Sequence, residues 1–331
     1  MDNAKRIYAL DFLKAIAALM ITNSHFLPLY KDVSKSLATF GVHGNALFFF
    51  VSGYLLMMGF DKRKLDFSNW YKKRISRLWP SVFLWVLISN VVLGMPLTFE
   101  RLILMDGYWF LQAIVINYAL FYLVCNIGYK RFGGGKTYLG LVMIMSLLIT
   151  IIYAVLMPRC EGSIFHTDLH YVCHFSVMIM GAIVYINKLG KRKNVVMQLF
   201  YALIFFLTYF LLMKIGKDKG DMLYYVQVLA LIPLHAFVYF IYVVASCDVV
   251  KNLFMRKYIG KILHVISSLT LEIYVVQFSI ITDVFNSVFP LSIIIVFTLI
   301  CIAAYFLHLI TNFFLQSLSV EEYEWRKMVK I

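Results

Sequence analysis

The chain is dominated by a succession of ten apolar stretches, each about long enough to cross the hydrocarbon core of a bilayer, with the charges gathered into short clusters between them. Hydropathy places the stretches near 8–28, 38–60, 78–94, 108–127, 138–157, 171–187, 195–213, 223–247, 266–288 and 291–317. In lipid every backbone N–H and C=O must bond within its own segment, so runs of this kind predict helices. Composition agrees, because 62% of the residues are hydrophobic and only 15% are charged, against roughly a quarter charged in soluble domains. A water-soluble core could not hide that much apolar surface. The expected fold is therefore all-α: a single polytopic membrane domain over 1–331, with about ten transmembrane helices and no appended soluble domain.

The first stretch carries Asp11, Lys14, Asn23 and His25 and lacks a small-residue cleavage site, so it reads as a retained helix and not as a cleaved signal. An even number of helices puts both termini on one side. If that side is the cytoplasm, the segments there hold 23 of the 31 basic residues and the opposite loops hold seven, with Lys14 left inside the first helix. This asymmetry follows the positive-inside rule and lets anionic lipid account for the net charge of +14, with no nucleic-acid partner. Five cysteines, Cys125, Cys160, Cys173, Cys247 and Cys301, fall mostly inside apolar runs and never in a CxxC spacing, so they read as small core residues.

Polar groups inside a bilayer are costly and usually face a cavity or one another. Asp11 and Lys14 are one helical turn apart and can neutralise each other on one face. Lys14 and His25 are eleven residues apart, close to three full turns, which places them on a common face about 16 Å apart along the axis. A charged pair near one mouth and a titratable imidazole deeper in the membrane suit a reaction path, since histidine takes a hydroxyl proton at neutral pH. The same spacing also suits a snorkelling lysine and a histidine bonded to a neighbouring helix.

Asp11, Lys14, ten intervening residues and His25 resemble the arginine-x10-histidine signature of the acyltransferase-three family, with lysine in place of arginine. The second stretch, from Gly41-Val42-His43-Gly44 to Phe48-Phe49-Phe50-Val51-Ser52-Gly53-Tyr54, is similar to that family's glycine-rich start followed by Phe-Phe-x-x-Ser-Gly-aromatic. Trp70-Tyr71-Lys72-Lys73-Arg74-Ile75-Ser76-Arg77-Leu78-Trp79-Pro80 looks like its basic loop, in which two arginines three apart precede a proline at the start of the third helix. Weaker echoes are Tyr108-Trp109-Phe110-Leu111, His174-Phe175 with Gly181, and Ser268 to Gln277, where the family often has histidine in place of Gln277.

The resemblance implies an O-acyltransferase that takes an acyl group, acetyl by preference, from cytoplasmic acyl-coenzyme A to a surface or lipid-linked glycan in a bacterial plasma membrane. On that reading His25, Lys14 and Asp11 are the expected catalytic group. Arg74 and Arg77 would share one face of a short helix and grip the phosphates of acetyl-coenzyme A, helped by Lys73 and by the Ser52 hydroxyl. Trp109, His174 and Glu272 are candidate substrate contacts. Lysine at position 14 keeps the charge but loses the planar fork of arginine, which loosens any carboxylate or phosphate grip there.

His166, His170 and His174 recur every four residues near Asp168, but no acid stands in an HExxH arrangement and no cysteine completes a zinc spacing, so no metal is predicted. Glu272 lies several residues into the ninth stretch beside Ser267, Ser268 and Thr270, where a carboxylate needs a cavity to line or a lysine partner. Gly133-Gly134-Gly135-Lys136-Thr137 lacks the leading glycine of a phosphate-binding loop and reads as a turn. The rival reading is a transporter of a lipid-linked sugar or other anionic solute using the same basic mouth. Transporters often show broken helices in matching positions of two repeats, and the prolines here fall in non-matching places.

Overall fold

The computed structural model describes residues 7–62, 66–129, 135–157, 163–190, 194–218, 223–319 and 324–325. Cys160, Gly133 and Gly134 lie outside the described residues. Among those described, the secondary structure is helical: α1 (Tyr8–His25), α2 (Gly41–Lys62), α3 (Phe67–Leu93), α4 (Phe99–Ile103), α5 (Trp109–Leu123), α6 (Gly135–Leu156), α7 (Phe175–Ile186), α8 (Val195–Asp218), α9 (Val226–Leu229), α10 (Leu231–Ala245), α11 (Asp248–Met255), α12 (Lys257–Ser268), α13 (Thr270–Ile280) and α14 (Leu291–Ser317).

A helix occupies each of the ten predicted stretches, yet among the described residues seven helices are long and apolar enough to cross a membrane, or eight if the bent pair α12–α13 counts as one span. The two stretches outside that count have local reasons. The polar Asp11, Lys14, Asn23 and His25 dilute α1, and α5 has only 15 residues before the chain passes into a π-helical turn at Val124–Tyr129. Two boundaries also differ from expectation. The third helix starts at Phe67 and not near 78, so Lys72 to Arg77 lie on its first turns and Pro80 lies inside it. The ninth is not one helix over 266–288: α12 and α13 meet at Leu269 with a bend of 77°, and α13 ends at Ile280. At that break Ser267 donates to the His264 carbonyl at 3.0 Å, and Ser268 is 3.1 Å from the His264 ring, local bonds of the kind that bend helices.

The described residues form two compact units, with α1, α2 and α5 each contributing to both. The first contains residues up to Leu13, Asn45–Phe67 and Ala113–Met255. Its centre is made by α2, α7 and α10. An added Cβ at Gly53 would fall on the Met178 carbonyl, and one at Gly181 on the Phe50 carbonyl, so α2 and α7 pass backbone to backbone. His235 of α10 joins them, its Nε2 lying 2.9 Å from the Ser176 hydroxyl and its Nδ1 2.7 Å from the Leu231 carbonyl oxygen. The spans containing α6 and α8 have only 17% of their most apolar window buried, against 67% for the α9–α10 span, and the large hydrophobic side chains they expose are mostly Leu and Ile, with Met, Val, Phe and Tyr. Such faces suit lipid contact.

The second unit contains Lys14–Gly44, Ser68–Gln112 and Arg256–Ile331. Here α1 meets the start of α2 through glycine: a Cβ at Gly44 would come within 2.8 Å of the Ala17 carbonyl, and one at Gly41 within 2.6 Å of Ser24 Oγ. The ring of Phe83 on α3 is 6.3 Å from that of Phe314 on α14, and Thr311 donates to Ser81 at 3.5 Å.

Replacing Gly53 or Gly181 with alanine should destabilise the protein by about 1–3 kcal/mol, because backbone on the facing helix cannot yield as a side chain can. Thermal unfolding in detergent checks this. Gly140→Ala, where nothing lies within 4 Å of the added carbon, should leave the melting temperature unchanged or slightly higher.

Candidate active site

His25 is the last residue of α1, and the loop that follows decides where it points. Asn23 donates to the carbonyls of Leu37 at 2.8 Å and Thr39 at 3.2 Å, and its Oδ1 accepts from the Tyr30 hydroxyl at 2.7 Å. This polar residue of α1 is therefore a structural anchor that folds the loop back onto the helix end. The loop is tied in turn to the segment after α13. Asn286 donates to the Pro28 carbonyl at 3.0 Å and to Asp32 at 3.2 Å, Tyr30 packs edge-on to Phe289, and Lys31 pairs with Asp283. The hydrogen bond and charge of Lys31 hold the Asp283 carboxyl below the usual carboxylate range.

These ties bring the ends of α1 and α13 together. The half-buried His25 ring lies edge-on to Phe278, with centroids 4.6 Å apart. Phe278 belongs to an aromatic cluster, 5.6 Å from Tyr274 and 6.1 Å from Tyr108, while Phe110 lies 5.3 Å from Tyr274. Gln277, next to Phe278, is fully buried, and among the described residues neither its Nε2 nor its Oε1 has a hydrogen-bond partner. Thr22, one turn before His25, is buried, and its hydroxyl too has no hydrogen-bond partner among the described residues. A buried amide without partners costs about 1–3 kcal/mol per group, so such a residue asks for a ligand.

A second polar group lies deeper in this unit. Glu272 of α13 is buried, and its Oε1 is 3.3 Å from His308 Nδ1 on α14; His308 Nε2 is 2.9 Å from Asn312. The partner of Glu272 is thus a histidine 36 residues away and not a lysine. Hydropathy does not single out His308, because α14 is apolar over most of its length, although His308 and Asn312 stand four apart, the spacing of one helix face.

The remaining candidates divide between the units. In the second, Lys14 is half-buried on α1, and since α1 is continuous it stays three turns before His25. Lys73 and Arg77 are exposed on α3, and the Arg74 guanidinium lies 5.5 Å from the Trp70 ring centroid. Trp109, half-buried, opens α5 edge-on to Phe110. In the first unit, Asp11 is buried near the start of α1, Ser52 is half-buried beside the Gly53 crossing, and His174, 2% exposed, stacks on Phe49 at 5.1 Å. His170 is half-buried; among the described residues no three His, Cys, Asp or Glu side chains converge as metal ligands would.

In chemical terms the second unit offers an imidazole, an unbonded carboxamide and hydroxyl, a cluster of rings, and guanidinium groups at the start of α3. No curated protein matches the chain significantly. Residues 7–312, spanning α1 to the Asn312 that His308 contacts, match the family model Acyl_transf_3, described as an acyltransferase domain. The chain therefore belongs to the acyltransferase-three family, and is a membrane acyltransferase by that membership.

Proposed function

We propose that this protein moves an acyl group, acetyl in the first instance, from cytoplasmic acyl-coenzyme A to a hydroxyl of a surface or lipid-linked glycan, as a multi-pass protein of a bacterial plasma membrane. The observation that carries this reading is His25, held against Phe278 next to the unbonded carboxamide of Gln277. The groups used in this reading belong to the second unit, whereas Asp11, Ser52 and His174 belong to the first.

His25 takes the proton of the acceptor hydroxyl as its oxygen attacks the thioester carbonyl. A C–O bond forms, the C–S bond breaks, and the departing thiolate takes the proton back from the imidazolium. Negative charge gathers on the carbonyl oxygen on the way, and the Gln277 Nε2–H is the donor available to meet it. Arg74 and Arg77, one turn apart on α3, present planar donors for the donor's phosphates, with Lys73 adding charge. Lys14 shares the face of α1 that leads to His25. The Trp109 ring suits the apolar face of a sugar, and Glu272 with His308 provides a second place to hold a proton.

The test is acyl transfer by the full chain in nanodiscs, from radiolabelled acetyl-coenzyme A to membranes bearing the acceptor. His25→Ala should lower the rate by about 100-fold or more, the scale of lost general-base catalysis. Arg74→Ala/Arg77→Ala should instead raise the KM for the donor. Equal turnover in all three proteins sinks this site, and solute flux without transfer would favour the transporter.

Gln277→Leu separates function from folding. An apolar side chain of similar size should keep or raise the melting temperature, while the transfer rate falls by about 100-fold, as when an oxyanion donor is removed. Loss of stability together with loss of rate would make Gln277 a structural residue.

A further inference from the structure

We propose that α12 is an interfacial helix whose lysines form a binding site for the headgroups of anionic phospholipid. Hydropathy takes in only its last residues, Ile266–Ser268, as the start of the ninth stretch. The structure makes it a separate element of 12 residues. At about 1.5 Å per residue such a helix is too short for a bilayer core of about 30 Å. It meets α13 at 77°, and α13 runs from that break to the end of α1, where Phe278 meets His25. A helix nearly square to a segment that enters the membrane lies along the surface. The charge asymmetry assigns this part of the chain to the cytoplasmic side.

Successive residues turn by about 100° around a helix, which sorts α12 into strips. Lys257, Lys261, His264 and Ser268 fall on one strip, Tyr258, Ile262 and Val265 on the next, and Gly260, Leu263 and Ser267 on a third. Burial shows which strip meets the protein: Gly260 and Ser267 are buried and Leu263 is half-buried. Lys257 and Lys261 are exposed, Tyr258 is 73% exposed and Ile262 60%. The helix therefore presents outward a basic strip and an apolar strip, side by side. That is the layout of a helix in the membrane surface, with apolar side chains entering the acyl region while the lysines stay level with the phosphates.

Charge selects the lipid. No Asp or Glu stands between Arg256 and Leu271, so the exposed Arg256, Lys257 and Lys261 are not balanced by any acid within this segment. The Lys257 ammonium lies 5.7 Å from the Tyr258 ring centroid, a cation and an interfacial ring held together. Arg256 is the N-cap and makes no side-chain capping bond, so the first amides of the helix add to the field that meets a phosphate beside Lys257. A soluble anion answers only the lysines. An anionic leaflet answers both strips, since it supplies the acyl layer for Tyr258 and Ile262 as well as the charge.

The place of α12 in the fold gives such binding a consequence. Ser267 and Ser268 bond back to His264 at the break, and Leu269 between the two helices is fully buried. α12 is thus joined to the foot of α13, the helix that carries Tyr274, Gln277 and Phe278. Lipid held on Lys257 and Lys261 fixes α12 in the surface and, with it, the foot of α13. Binding of lipid here requires no acyl transfer, so this site and the proposed reaction are open to separate failure.

The test uses the full chain in phosphatidylcholine nanodiscs doped with a photoreactive phosphatidylglycerol or, in parallel, a photoreactive phosphatidylcholine, with labelled peptides mapped by mass spectrometry. We expect the phosphatidylglycerol probe to label the α12 peptide saturably, and Lys257→Gln/Lys261→Gln to lower that labelling by about tenfold. Lys257→Arg/Lys261→Arg, which keeps the charge, should label as wild type does, and so should Lys214→Gln/Lys217→Gln on α8. Phosphatidylglycerol should also raise the melting temperature of the wild type, and the rise should vanish in Lys257→Gln/Lys261→Gln. Equal labelling of α12 by both probes, or labelling indifferent to the two lysines, overturns the site. Cross-links joining α12 of two copies, with no lipid adduct there, would assign the face to a dimer and overturn it as well.

Discussion

Everything in this protein follows from the lack of water around a helix in lipid. A backbone group that cannot bond within its own helix has no alternative partner there, and a polar side chain must find one across the bundle or hold a ligand. Asn23 shows the first outcome, with its amide bonded on both sides and spent on holding the loop. Gln277 shows the second, a buried amide with neither end bonded among the described residues. Within one unit, then, one buried polar residue is spent on the scaffold and another is left open among the described residues.

The scaffold is assembled by close backbone approach, because lipid gives apolar side chains no reason to prefer one another. Gly53 and Gly181 let α2 and α7 touch, and Gly41 and Gly44 let α2 approach α1. Hydrophobic burial sorts faces only weakly here, which is why α6 and α8 expose long apolar stretches while α10, of similar hydropathy, is mostly buried. Function is left to the loop ties and to the few polar residues. The segments after α1 and α13 hold each other through Asn286, Tyr30 and the Lys31–Asp283 pair, and the imidazole is placed as a consequence.

The helical class, the membrane setting and most helix boundaries were readable along the chain, since hydropathy and charge act on contiguous residues; 291–317 agrees with α14 to the residue. The failures were local events that a smooth hydropathy pattern hides. Ser267 and Ser268 break the ninth stretch by bonding back to His264, and the basic run before Pro80 continues the helix because its charges sit on the outer turns of α3. His308 is hidden inside an apolar helix, and Glu272, for which the sequence leaves a cavity or a lysine open, is met by that histidine.

The sequence by itself determined that this chain is a helical membrane protein, which residues are costly to place in lipid, and, through the spacing of Lys14, His25, Arg74 and Arg77, which family it resembles. Those are properties of neighbours within a few turns, set by the helical repeat. Only the tertiary structure decided which costly residues are bonded to one another and which are left open. It set His25 on Phe278, more than 250 residues away, and left Gln277 without a hydrogen-bond partner among the described residues. Such pairings depend on how helices cross and how loops close, and neither hydropathy nor spacing carries that information.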